Sequence, residues 1–95
     1  MAEASRVLVR CRVARGFFAS ERLVMLGKAS VFASRSQVEL ATDPPEGEAA
    51  DGQVVGFLIH RTGDRALVEL PGDAVVGGLR SWVPASDVAR APTNA

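Results

Sequence analysis

Residues 53–60 and 65–70 are two apolar runs separated by Arg61-Thr62-Gly63-Asp64, residue types that make a tight turn. With Thr62-Gly63 as the loop, Ile59 faces Ala66, Phe57 faces Val68 and Val55 faces Leu70, while Arg61 meets Asp64 at the rim. Every facing pair is then apolar and lies on one side of the ribbon. A one-residue slip would turn the whole set outward, so this register is strongly specified. The other side sets Leu58 against Leu67 and His60 against Arg65 and expects only partial cover.

The remaining segments read the same way. Residues 6–13 alternate, with Val7, Val9, Cys11 and Val13 on one side and Arg6, Leu8, Arg10 and Arg12 on the other. Gly16 breaks that strand. Residues 22–26 and 29–33 are two more strands joined by Gly27-Lys28, a two-residue turn with glycine at its first central position. That turn pairs Leu26 with Ala29, Val24 with Val31 and Leu23 with Phe32. Pro71-Gly72-Asp73 ends the second hairpin, and residues 74–78 read as a loop with Val75-Val76 near its tip. Residues 79–83 form a last long strand stopped by Pro84; Ala85-Ser86-Asp87 turns and Val88 re-enters the sheet. A helix has one candidate, residues 17–26 with Phe18, Arg22 and Met25 on one side, but it lacks caps and is rich in β-formers. The expected core is Val7, Val9, Cys11, Val24, Leu26, Val31, Val55, Phe57, Ile59, Val68, Leu70 and Val83.

At 95 residues the chain has room for one domain. We place it at 6–88, between a flexible N-terminus at 1–5 and a flexible tail at 89–95. Residues 43–52 hold two prolines, four acids and no large apolar side chain, and read as an exposed acidic loop. Taken instead as a linker, they would separate lobes of about 40 residues, each short of a self-sufficient core. No apolar run approaches the roughly 20 residues of a membrane span, and the first residues lack a signal-peptide layout. With a single cysteine, neither disulfides nor a zinc site support the fold. A cytoplasmic protein without a membrane partner is the expectation.

The two halves share a plan. Leu23-Val24-Met25-Leu26 parallels Leu67-Val68-Glu69-Leu70, and each half ends in a Ser-x-Val turn, at Ser36-Gln37-Val38 and Ser86-Asp87-Val88. Two three-stranded meanders packed with pseudo-symmetry follow, unless short strands built from few residue types match by chance. The run from the second hairpin through Trp82, Pro84, Ser86 and Val88 resembles the second half of the SH3-like small β-barrels, where a strand ending in apolar-x-Pro passes through a 3₁₀ turn into a short last strand. The resemblance covers residues 53–88 and implies an all-β barrel of five to six antiparallel strands. It implies little about activity, since small barrels host many functions. The signalling SH3 proteins grip proline-rich helices with tyrosines and N-terminal acids; this chain has no tyrosine and a basic first strand.

Residues that could carry chemistry are few. Cys11 lies on the apolar side of its strand, away from the flanking arginines that could activate it. His60 stands at a turn with no second histidine and no nucleophile pattern beside it. Asp43, Glu46, Glu48 and Asp51 lack the alternating ligands and central glycine of a calcium loop. No glycine run matches a phosphate cradle. No catalytic residue, metal, cofactor or small-molecule substrate is assigned.

Charge cancels overall, with eleven basic and eleven acidic residues, but up to Ser36 there are seven basic against two acidic. Two surfaces stand out. Phe17-Phe18 and Val75-Val76 put apolar side chains in turns, which normally face water, and Arg15 and Arg22 would rim the phenylalanines as in a protein contact patch. Arg6, Arg10 and Arg12 share one strand face near two aromatics, which suits a nucleic-acid strand; zero net charge argues against a dedicated nucleic-acid domain. The expectation is a non-enzymatic scaffold or accessory module that binds a protein or a second copy of itself, with nucleic-acid binding as the alternative.

Overall fold

The computed structural model describes residues 5–90. The chain forms strands β1 (Ser5–Arg15), β2 (Glu21–Leu26), β3 (Ala29–Ser34), β4 (Val38–Glu39), β5 (Ala49–Thr62), β6 (Arg65–Glu69), β7 (Asp73–Val76), β8 (Arg80–Pro84) and β9 (Val88–Arg90). Single 3₁₀ turns at Arg35–Gln37 and Ala85–Asp87 are the helical elements. The strand order is β7-β3-β2-β1-β5-β6-β8, with β4 also on β5 and β9 also on β1, and all neighbours antiparallel. β7 and β8 are consecutive in the chain yet stand at opposite ends of that order. Their connection brings the sheet's ends together into a small, nearly closed barrel. Six strands have five residues or more, as expected; β4, β7 and β9 are short additions.

The core follows the period of two. Val7, Val9, Cys11 and Val13 of β1 are buried, as are Val24 and Leu26 of β2, Val31 and Ala33 of β3, Val54 of β5, Ala66 and Val68 of β6, then Leu70 and Val83. β-Branched valine suits these positions because it packs well on a pleated surface.

Pairing repeats between the halves. Val13 pairs with Val24 in the first half and Leu58 with Val68 in the second. Leu23 pairs with Phe32, and Leu67 with Trp82. Each half ends in a 3₁₀ turn and a closing strand, and the closing strand crosses over: β4 lies on β5, and β9 lies on β1. β1 and β5 therefore each serve both halves.

The first hairpin has the expected register, Leu26 with Ala29, Val24 with Val31 and Leu23 with Phe32. The second does not. Thr62 pairs with Arg65, so the loop is Gly63-Asp64, and a bulge at Ile59 then shifts the register so that Leu58 pairs with Val68 and Phe57 with Glu69. Phe57 is consequently 42% exposed, Val55 and Ile59 are half-buried, and Val54 occupies the core. The acidic segment is also shorter than 43–52, because Ala49 and Ala50 already pair with Ala14 and Val13. Val75 and Val76 belong to β7, paired with β3, rather than to a loop tip. Of the expected flexible ends, Ser5 lies in β1 and Ala89 and Arg90 in β9; residues 1–4 and 91–95 lie outside the described residues.

Candidate functional site

The chain leaves β1 at Gly16 and enters β2 at Glu21 through a loop closed by its own hydrogen bonds. The Gly16 N–H donates to the Glu21 carbonyl (3.1 Å), the Glu21 N–H to the Phe18 carbonyl (3.0 Å), and the Phe17 N–H to Glu21 Oε1 (2.8 Å). A Cβ at position 16 would lie 2.6 Å from Glu21 Oε1, so any residue but glycine would displace the side chain that accepts from the Phe17 N–H. With the polar groups tied inward, the two rings project: Phe17 is 84% exposed and Phe18 71%. Phe17 leans on the half-buried ring of Phe32, centroids 5.5 Å apart and tilted by 45°, within the range of favourable aromatic pairs.

Beneath the loop lies Arg22, only 5% exposed. It occupies the inward side of β2 with Val24 and Leu26, so it cannot rim the phenylalanines as expected. Its Nη1 donates to the carbonyls of Ala19 (2.9 Å) and Glu21 (2.8 Å), while Nε and Nη2 form a fork on Asp43 (3.1 and 2.8 Å). Each of its three nitrogens has a partner, as a buried guanidinium requires. The Arg22 hydrogen bond and charge, with Arg35 and Arg15 adding, hold the Asp43 carboxyl below its usual range. Arg15 does reach the edge of the loop, exposed, with Nε donating to the Pro44 carbonyl (2.8 Å). The Arg22–Asp43 pair was not legible in the sequence. Its one signal was the β2 alternation, which places Arg22 inward.

Val75 is 51% exposed on β7, and the side chain of Val76 lies outside the described residues. Arg6, Arg10 and Arg12 all stand exposed on the outer side of β1; Arg12 is held by Asp51 (2.9 Å) and the Ala49 carbonyl (3.1 Å). A second apolar surface, absent from the sequence reading, lies outside the second half. Trp82 (46% exposed) stands across from Leu67, and Phe57 lies on the neighbouring strand. His60 meets Trp82 edge-on at 6.2 Å, and its Nε2 is 2.8 Å from Thr62 Oγ1. Burial pushes the Cys11 thiol up to about 12, so it is a packing residue at neutral pH. Among the described residues no cluster of three metal-ligating side chains forms, and no helix is long and apolar enough to cross a membrane.

Comparison with protein-family models, with curated proteins and with solved structures finds no match to this chain.

Proposed function

We propose that this chain is a non-enzymatic protein-interaction module, an accessory or scaffold element that acts through the Phe17–Phe18 loop. The carrying observation is the pair of rings, 84% and 71% exposed, on a loop held by three internal hydrogen bonds. A rigid apolar tip loses little conformational entropy on docking, so more of its buried area is realised as affinity. Aromatic anchors of this kind dominate protein interfaces. The ligand is a protein surface with an apolar pocket, on a partner or on a second copy of the chain. Kinship with the SH3-like small barrels is part of this reading. Its support is the strand, 3₁₀ turn and short closing strand that end each half.

The test is the double substitution Phe17→Ser with Phe18→Ser in the full chain. The expected result is a melting profile close to the parent, because both rings lie outside the core, with loss of self-association by sedimentation and of partner capture from the source cell. Association that survives the double change overturns the reading. Binding that survives it but is lost on Arg10→Glu with Arg12→Glu, and weakens steeply with salt, identifies a nucleic-acid module instead.

A further inference from the structure

The β1–β2 and β5–β6 connections occupy matching places in the two halves but differ in length. Leu23 pairs with Phe32 and Leu67 with Trp82, so Phe32 corresponds to Trp82. Gly16 and Glu21 close the first connection as Thr62 and Arg65 close the second. Residues 17–20 span the first gap, and Gly63-Asp64 alone span the second. The longer loop brings Phe17 onto Phe32, with ring centroids 5.5 Å apart. Glycine and aspartate have no apolar side chain to lay on Trp82. An aromatic pair is thus completed within the chain in one half and left open in the other.

At the place corresponding to Phe17, the second half has a hollow of about 470 Å³ lined by Thr62, Gly63, Asp64, Arg65 and Trp82. All five are exposed, and Trp82 is 46% exposed where Phe32 is half-buried. His60 meets the indole edge-on at 6.2 Å but does not line the hollow. The indole, the threonine methyl and the arginine stem make its walls apolar, and a ring laid on an indole gains from area and from ring geometry together. Charges flank both features. Glu46 and Arg15 lie beside Phe17 and Phe18, while Arg65 and Asp64 lie beside the indole. Neither Glu46 nor Arg65 has an ion-pair partner among the described residues. Glu46 beside the rings therefore complements Arg65 beside the hollow, and Arg15 with Asp64 is the reciprocal pair.

We infer that this hollow receives the Phe17–Phe18 loop of a second copy of the chain, with a ring on Trp82 as Phe17 lies on Phe32 within one copy. The inference rests on the role proposed for that loop and supplies its receptor. Phe17 is engaged by Phe32, so Phe18, 71% exposed and with no aromatic neighbour among the described residues, is the ring that enters. The two rings together bury about 300 Å², short of a standard interface, so the contact is weak and forms at high protein concentration.

Trp82 is the sole tryptophan, so its emission reports on the hollow directly. Two variants of the full chain split the contact: Phe17→Ser with Phe18→Ser keeps the hollow without the loop, and Trp82→Ser keeps the loop without the hollow. The parent should self-associate, its emission shifting to the blue as concentration rises, and each variant alone should sediment as a monomer. Mixed, the two variants should form a one-to-one pair. Only the first carries tryptophan, so a blue shift on mixing places the other copy's loop on Trp82. Arg65→Glu, at an exposed position, should weaken self-association by about two- to fivefold, and Glu46→Arg in the same chain should recover it. Dispersed spectra of the ¹⁵N-labelled variants show that they are folded, and Arg65→Glu carries the test should Trp82→Ser unfold. A parent that stays monomeric at every concentration overturns the inference, as does a mixture without a pair or a blue shift. Self-association lost in the loop variant but kept in both Trp82→Ser and Arg65→Glu also overturns it. In each of these cases, partner capture that still depends on Phe17 and Phe18 leaves the loop's own role standing, so the two failures are told apart.

Discussion

Val9 and Val54 face each other where the two longest strands cross, and each carries on its other side the closing strand of the barrel, Val88 beside Val9 and Val38 beside Val54. Both are fully buried. The two halves are joined through this row of four valines, so damage there reaches both.

Val9→Ala and Val54→Ala are each expected to cost about 2–3 kcal/mol, a large part of the roughly 5–15 kcal/mol that holds a domain. The correspondence of the halves makes the two costs similar. Phe57→Ala, at an outward and 42% exposed position, is expected to cost less than about 1 kcal/mol. Urea melts of the three variants check this; a Phe57→Ala cost as large as that of Val54→Ala would restore the register in which Phe57 points inward.

That register shows how far the sequence could be read. Gly27-Lys28 fixed the first hairpin because glycine at the first central position, here at φ 60°, selects the turn whose twist matches the strands. Gly63 does the same at φ 57°, followed by Asp64, and placing it second in its loop displaced each residue's partner by two, which by itself keeps the same side chains facing inward. The bulge at Ile59 shifts the pairing again, and no local residue choice announces it. Alternation in β1 survived because ten consecutive residues pair with β5 without a break. Phe17 and Phe18 stood out because apolar residues in a turn contradict its usual polarity. Arg22 misled because a charged residue is expected outside. Its partner Asp43 lies 21 residues away in a segment whose composition reads as solvent-exposed loop.

The acidic segment divides into an anchored part and a solvated part. Glu46 and Glu48 are exposed, whereas Pro44 is buried and Asp43 is paired. Replacing Glu46 and Glu48 by glutamine should change stability by no more than about 0.5 kcal/mol. Deleting residues 46–50 should destabilise the chain clearly, because it removes the Ala49–Ala14 and Ala50–Val13 pairs. Thermal melts distinguish the two. A deletion that melts like the parent would mean that β5 does not need its first turn of pairing.

Cys11 offers a readout of opening. A thiol raised from 9.0 to about 12 has, at pH 8, about a thousandfold less thiolate than an ordinary one. Alkylation of the native chain should therefore be slow and should accelerate with denaturant in step with unfolding. Rapid labelling without denaturant would show that the middle of β1 is accessible in the folded state.

The Arg22–Asp43 pair ties stability to pH in a direction that can be worked out. Folding holds the Asp43 carboxyl below the ordinary 3.8, through the Arg22 hydrogen bond first and through the charges of Arg22, Arg35 and Arg15. The unfolded chain thus takes up this proton before the folded chain does. The pair's contribution is present in full above the unfolded value and is lost as pH falls from about 3.8 through the lowered folded value. Asp43→Asn removes the titration and leaves the Arg22 guanidinium buried against a neutral partner, so the variant should melt below the parent at pH 7. The gap should narrow steadily below pH 3.8, as the parent loses what the variant never had. Melts of both chains from pH 7 to pH 2 give the measurement, and a gap unchanged down to pH 2 would show that Asp43 contributes nothing as an anion. Arg22 also holds the carbonyls of Ala19 and Glu21 beneath the Phe17–Phe18 loop. Hydrogen exchange at Phe17 and Glu21 should therefore quicken in Asp43→Asn, linking the loop's rigidity to the acid 21 residues beyond Arg22.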